Sequence, residues 1–364
     1  MSAYLMPAQQ ATILIPDISG YTEFVSRTEI DHSSHILNRL LETIVAAAGE
    51  DYVISEVEGD AVLMYRKGSP PSKKEIIDQC VKIFRAFHTE LREMNMVSIC
   101  QCGSCRGISD MTLKFVVHFG AIEEINVARF VKASGLDMVI AHRLLKNNID
   151  SHEYILVTKN YLSNISDADE TMQLAWVPSK EAYDAIGEVE FNFAKLDAVK
   201  KSIPEPEQKK EIISDLGIQS NQLEIEANYK DVFQMIMDPD QRQSSGGGGM
   251  KETINFSPIP HIGAKHLCVD DAFTLEVEYI GFTKTGKEFT LSETQRIPSM
   301  NFYTIYSYTV TDLGSNRSML TTHIKAEEGH ELPMELLTVF KAMEEEGMKS
   351  FKAYAEKKPQ KATA

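Results

Sequence analysis

The chain has no run of apolar residues approaching the roughly 18–20 that cross a bilayer, although it is 364 residues long. Its opening, MSAYLMPAQQ, has no basic segment followed by an apolar one, so no export signal is expected. Cysteine is scarce: Cys80, Cys100, Cys102, Cys105 and Cys268 are too few and too unevenly spaced for a disulfide framework. Positive charge is in deficit, with 37 Lys and Arg against 53 Asp and Glu and a formal net charge of −16. Such a surface repels phosphate backbones and anionic lipid, which excludes a nucleic-acid coat protein or a basic membrane binder. It does not exclude one nucleotide held at a local site with its own cations. The glycine run Gly246–Gly249 lacks the Gly-Lys-Ser/Thr ending of a phosphate loop. No Ser/His/Asp spacing suggests a nucleophile, and His261, His266 and His323 read as isolated, satisfied polar residues. These exclusions leave a cytoplasmic protein with neither nucleic acid nor membrane as partner.

What is present suits a globular chain with two cores: 43% hydrophobic and 25% charged residues. Residues 11–15 (ATILI) predict a strand that stops at Pro16-Asp17-Ile18-Ser19-Gly20. Leu37, Leu40, Leu41, Ile44 and Val45 then recur at helical spacing. Asp51–Val57 and Ala61–Tyr65 flank the turn Glu58-Gly59-Asp60 and predict a hairpin. Residues 73–94 predict a second amphipathic helix, 111–120 (MTLKFVVHFG) a strand, 136–148 a helix and 154–157 a strand. This β-α-β-β-α-β order predicts an α+β fold of the ferredoxin-like kind with helices on one face of the sheet. The expected organisation is a first domain over 8–197, a charged, proline-bearing linker over 198–215, a second domain over 216–358 and a disordered tail over 359–364.

Two carboxylates stand out. Asp17 follows a strand and precedes a glycine turn into a helix, and Asp60 lies in the hairpin turn. If the hairpin strands pair beside the first strand, the two meet, and like charges at one spot call for a cation between them. The plainer reading makes Asp17 a helix cap and Asp60 a turn residue.

Residues 11–24 (ATILIPDISGYTEF) and 53–65 (VISEVEGDAVLMY) resemble the two metal-binding motifs of class III nucleotidyl cyclases. Residues 113–120 (LKFVVHFG) and 135–162 are similar to that family's His-x-Gly strand and its Ala-x-Arg-Leu helix. The resemblance implies a nucleotidyl-cyclase fold in which Asp17, Asp60 and the backbone of Ile18 hold two Mg²⁺ or Mn²⁺ ions. It implies that Ser19, Gly20, Tyr21 and Gly59 approach the triphosphate of a nucleoside triphosphate, and that Arg143 is the catalytic arginine. It also implies a homodimer in which Arg143 serves the nucleotide on the partner chain. Two positions depart from the family. Val139 stands where an asparagine orients the ribose, and the base-reading pair falls on Glu56, as in guanylyl cyclases, and near Lys132, which fits neither base pattern. An active cyclase and an inactive cyclase-fold scaffold are both compatible with these residues.

Beyond residue 216, strands over 272–282, 288–298, 302–312 and 318–326 precede a long helix over 333–356. This half resembles the polyketide-cyclase/START (SRPBCC) superfamily, which implies a helix-grip fold: an antiparallel sheet, a long C-terminal helix and a cavity for a small apolar ligand. Aromatics such as Phe273, Tyr279, Phe302 and Tyr306 either line that cavity or fill the core. Finally, Cys100, Cys102 and Cys105 form a C-x-C-x-x-C cluster, which reads as a Zn²⁺ site needing a fourth ligand, a redox pair, or unligated thiols.

Overall fold

A computed structural model of the chain describes residues 8–26, 30–100, 107–127, 130–165, 174–206, 213–245, 251–257, 259–332 and 334–357. It is a mixed α+β structure with two sheets, divided into two compact units. The first unit comprises residues 1–94 and 107–206, the second 95–106 and 207–364.

The first unit opens with β1 (Gln9–Ser19), followed by α1 (Tyr21–Ser26) and α2 (Ile30–Ala48). The hairpin β2 (Val53–Glu58) and β3 (Ala61–Lys67), the long α3 (Lys73–Val97), β4 (Thr112–Val127) and β5 (Phe130–Ser134) come next. Then α4 (Leu136–Arg143), β6 (Tyr154–Thr158), α5 (Lys159–Leu162), β7 (Trp176–Tyr183), β8 (Gly187–Lys195) and α6 (Asp197–Lys201) complete it. The strand order is β2-β3-β1-β4-β6-β8-β7, with β5 pairing β4. All pairings are antiparallel except β4 with β6.

Side chains alternate across the strands. Ala11, Ile13 and Ile15 of β1 share a face with Leu63, Val116 and Leu156, and Met138, Ala141 and Leu144 pack onto it from α4 and the turn after it. Leu14 and Met64, of the opposite parity, are buried as well. The sheet is therefore covered on both faces, not on one as its helix pattern suggests. Asp17 has the parity of the α4 face. α6 overlaps the expected linker over 198–201 and buries Val199, while Arg92 donates to the carbonyls of Ile203 and Pro204.

In the second unit, β9 (Ile218–Ile225), α7 (Tyr229–Met237), α8 (Pro239–Ser244), β10 (Glu252–Asn255) and β11 (Lys265–Val269) precede a four-strand meander. The meander is β12 (Thr274–Thr285), β13 (Glu288–Ile297), β14 (Phe302–Gly314) and β15 (Arg317–Ala326), and α9 (Met334–Lys357) closes the chain. The sheet order is β10-β11-β12-β13-β14-β15-β9, antiparallel throughout. The apolar stripe of α9 lies on this sheet: Leu337 and Phe340 cluster with Phe302 and Ile324, and Met348, Phe351 and Ala355 with Val277, Leu291 and Leu320. Ile99 belongs to the same core, and its N–H donates to Pro260 O at 3.3 Å. Among the described residues no helix is long and apolar enough to cross a membrane.

Candidate functional site

The site is set by strand register. β1 is central, so its apolar run is buried and its last turn of side chains meets two neighbours. Asp17 stands opposite Ala61 of β3 and Lys114 of β4. Across the hairpin Ala61 pairs Glu58, so Glu58, Ala61, Asp17 and Lys114 form one row over four strands. Gly59, at φ +60°, takes the left-handed turn that closes the hairpin, and the Asp60 carbonyl accepts from the Ile18 N–H at 3.1 Å. That main-chain bond holds the turn against the end of β1.

Asp17 is only 9% exposed and lies in β1, not at a helix cap. Its Oδ2 pairs with Lys114 Nζ at 3.0 Å, and that ammonium also donates to Leu145 O at 3.1 Å. Burial raises the Asp60 pKa, the Asp17 charge raises it further, and a main-chain hydrogen bond and Lys114 pull against both. The two expected carboxylates thus lie close enough for the Asp17 charge to act on Asp60. Protonated Asp60 favours the folded state, a contribution fully present below the ordinary aspartate pKa of about 3.9 and lost as pH rises through the raised folded value. Asp60→Asn should therefore raise the melting temperature of the metal-free protein at neutral pH. It should also flatten the loss of stability between acid and neutral pH; an unchanged thermal pH profile would contradict the coupling.

Two carboxylates are what Mg²⁺ asks of a protein when phosphate oxygens and water complete its octahedron. Asp17 and Asp60 would supply such a pair, and Lys114 is the cation now paired with Asp17. Among the described residues no group of three His, Cys, Asp or Glu side chains gathers for a metal. The turn beyond Asp17 has one unsatisfied group: Ser19 Oγ is buried without a hydrogen-bond partner among the described residues. Gly20 sits at φ +90°, and Phe24 N donates to its carbonyl at 3.0 Å as α1 begins.

Glu56 and Lys132, expected to face the base, do meet: Lys132 Nζ lies 2.6 Å from Glu56 Oε2 and 4.0 Å from Glu58. That hydrogen bond raises the Lys132 pKa. Ser55 Oγ accepts from Ala133 N at 2.9 Å, so β5 is tied to β2. His142 Nε2 reaches Glu58 at 2.9 Å. Arg143 ends α4, exposed, and among the described residues no ion pair or hydrogen bond joins it to Asp17 or Asp60. Val139 is 47% exposed on the same helix.

α4 is anchored by a network the sequence motif showed only at His118. His118 Nε2 meets Asp137 Oδ1 at 2.9 Å, and its Nδ1 meets Thr158 Oγ1 at 2.8 Å. Asp137 Oδ2 accepts from Ala121 N at 2.7 Å. Burial pushes the Asp137 pKa up, but the His118 and Ala121 hydrogen bonds outweigh it and leave the value lowered. A side chain at Gly120 would run into the Asp137 carboxylate. Gly120→Ala should cost about 1–3 kcal/mol of stability by forcing this network apart. A denaturant midpoint unchanged from the wild type would show that α4 is not held this way.

Cys100 is buried in the second unit, where Gln234 Nε2 donates to its Sγ at 3.4 Å. Cys102 and Cys105 lie outside the described residues, and the zinc expectation finds no support in the described ones. Sequence reasoning missed Lys114 and Asp137. A lysine in an apolar strand carries no signal until the β1–β4 register sets it across from Asp17.

The second unit contains a cavity of about 220 Å³ between α9, α8 and the sheet. Leu275, Val277, Phe302, Phe340 and Met348 give it apolar walls, and Arg242, Glu293 and Glu344 stand among them.

A family model described as "Protein of unknown function (DUF2652)" matches residues 37–154, which include Asp60, Lys114 and Arg143. The uncharacterized protein Rv2561/Rv2562 of Mycobacterium tuberculosis is 28% identical over 158 residues, 43% of this chain and 72% of its own length. Similar solved structures include cyclase domains. The catalytic core of a rhodopsin-guanylyl cyclase in complex with ATPαS is 14% identical with a TM-score of 0.39, covering 53% of this chain and 99% of that one. The adenylyl cyclase CyaB from P. aeruginosa gives 16% and 0.36, over 52% of this chain and 94% of its own. The dimeric guanylyl cyclase domain of the RhoGC fusion protein from the aquatic fungus Blastocladiella emersonii gives 16% and 0.37, over 51% and 96%.

Proposed function

We propose that the first unit is a class III nucleotidyl-cyclase-like domain that binds a purine nucleoside triphosphate with divalent metal and forms a cyclic nucleotide. The observation that carries this reading is the register that ends β1 against the β2–β3 turn, with Asp17 opposite Ala61 and the Ile18 N–H bonded to the Asp60 carbonyl. The order β2-β3-β1-β4 supports a ferredoxin-like core beneath it. Asp17, Asp60 and the Ile18 backbone would hold Mg²⁺ or Mn²⁺. When bound, such ions polarise the ribose 3′-hydroxyl and the phosphoryl oxygens. Ser19, Gly20, Tyr21 and Gly59 line the approach of the triphosphate, and Lys114 adds positive charge beside it. Glu56 and Lys132 offer one acceptor and one donor to the base. Arg143, unpaired with Asp17 in its own chain, suits a homodimer in which it reaches the partner's nucleotide and stabilises the charge that builds on the leaving pyrophosphate.

The second unit is read as an SRPBCC helix-grip domain whose cavity takes a small apolar ligand, and the whole chain as a signalling protein. The arrangement of α9 over the antiparallel sheet and its cavity supports this.

Val139 favours a second reading, a catalytically silent cyclase-fold scaffold, because an exposed valine offers no hydrogen bond to a ribose. Losing one oriented group of that kind costs on the order of 10²–10³ in rate. Each of the four nucleoside triphosphates, with Mg²⁺ or Mn²⁺, should be assayed for cyclic products with wild type and Val139→Asn. The variant should fold within about 0.5 kcal/mol of wild type, since the position is exposed, and should form product faster. No product from either protein with any nucleotide would leave the scaffold reading standing.

A further inference from the structure

Lys114 is the odd residue of its strand. Its neighbours Leu113, Phe115, Val116 and Val117 are apolar and fully buried, and the β1–β4 register sets it straight across from Asp17. Its ammonium reaches Asp17 Oδ2 at 3.0 Å and donates to Leu145 O at 3.1 Å, and its side chain is 15% exposed. A lysine in so dry a place is costly unless its charge is paired, and Asp17 supplies the pair. The same charge acts on Asp60, where it opposes the burial and the Asp17 charge that raise that carboxyl's pKa. One built-in cation therefore acts on both carboxylates.

A divalent ion at Asp17 meets that ammonium as a like charge. Both seek the same carboxylate, and with Asp17 only 9% exposed, water and salt screen their repulsion little. When ionised, the two aspartates alone present two negative charges to a metal; with Lys114 among them they present one. The Leu145 carbonyl is a second acceptor, so the ammonium can give up Asp17 without losing every partner. Leu145 belongs to the turn that follows α4: its N–H donates to His142 O at 3.2 Å, and Lys146 N donates to Arg143 O at 3.0 Å. The lysine thus joins Asp17 to the turn behind Arg143.

Resting on the reading of Asp17 and Asp60 as metal ligands, we propose that Lys114 is a tethered counter-ion that competes with the divalent ion for Asp17 and falls back on the Leu145 carbonyl when the ion binds. It is a positioning residue, acting through Asp17. It sets how tightly the protein alone holds metal, and it ties occupancy of Asp17 to the turn that carries the end of α4.

Mn²⁺ alone, titrated into the full chain with the free ion read by its paramagnetic resonance signal, tests this on wild type, Lys114→Gln and Lys114→Arg. Glutamine keeps an amide to donate to Asp17 and Leu145 but drops the charge, and should bind Mn²⁺ at least about tenfold tighter. Lys114→Met, which drops the donors too, should show the same gain and keeps the test open if the glutamine variant does not fold. Arginine keeps the charge and should stay within about threefold of wild type. Removing a merely structural lysine would weaken metal binding or leave it unchanged. Either result in the uncharged variants, on a wild type that binds Mn²⁺, overturns the proposal alone, as does an equal gain in Lys114→Arg. Wild-type binding that Asp60→Asn leaves unchanged, or no binding by wild type and the uncharged variants alike, overturns the metal-site reading and the proposal with it.

Discussion

Glu293→Gln should lower the unfolding free energy by about 3–5 kcal/mol, because it leaves the Arg242 guanidinium buried without its counter-charge. Glu293 is fully buried, and it accepts from Arg242, Tyr308 and Gln295. Burial works against the charged arginine, but Glu293 and the flanking tyrosines outweigh it and hold the Arg242 pKa far above any working pH. Arginine cannot escape by losing its proton, so the whole cost falls on folding. Replacing both partners with apolar residues of similar size, Arg242→Met with Glu293→Leu, should recover most of the loss. Urea unfolding followed by circular dichroism reads both effects. A single variant within about 1 kcal/mol of wild type would mean that the pair is not desolvated as described.

Asp17→Asn should weaken metal-dependent nucleotide binding on the order of 100-fold. The residue lies at the meeting point of β1, β3 and β4, where its carboxylate faces both Lys114 and Asp60. Its removal leaves Asp60 as the one carboxylate of the pair and takes the counter-charge from Lys114. The fold should persist, since asparagine fills the same space and still accepts from the lysine. Calorimetric titration with a nucleotide analogue and Mn²⁺ reads the loss, and a thermal melt confirms that the variant is folded. An affinity within about threefold of wild type would remove Asp17 from the site.

Much of this arrangement can be seen in the residue pattern, and the exceptions have physical causes. The expected strand over 11–15 continues to Ser19 in the structure, because Pro16 does not end β1: Leu14 and Asp17 on either side keep their partners on β3. The expected helix over 136–148 stops at Arg143, and Asn147 folds back to donate to Leu144 O at 2.7 Å. α4 buries just Met138 and Ala141 within its span, so no amphipathic stripe announces that it covers the second face of the sheet. The β7–β8 hairpin went unseen because its strands are largely exposed and lack a clean alternation. That Asp17 lies beside the Asp60 turn, and Lys132 beside Glu56, is legible from motif spacing. The parts played by Lys114 and Asp137 are not, because their roles come from register and from contacts with residues far apart in sequence. The same holds for Arg242 and Glu293, which are 51 positions apart and meet only through the packing of α8 on the second sheet.

The central claim is that Asp17 and Asp60 together form a metal-dependent nucleotide site. Equilibrium binding of a non-cyclisable purine nucleoside triphosphate analogue, measured with and without Mn²⁺ on wild type and on Asp60→Asn, tests it most directly. The account predicts binding by wild type that needs the metal and that falls on the order of 100-fold in the variant. Binding that is indifferent to Mn²⁺, or unchanged by Asp60→Asn, would contradict it.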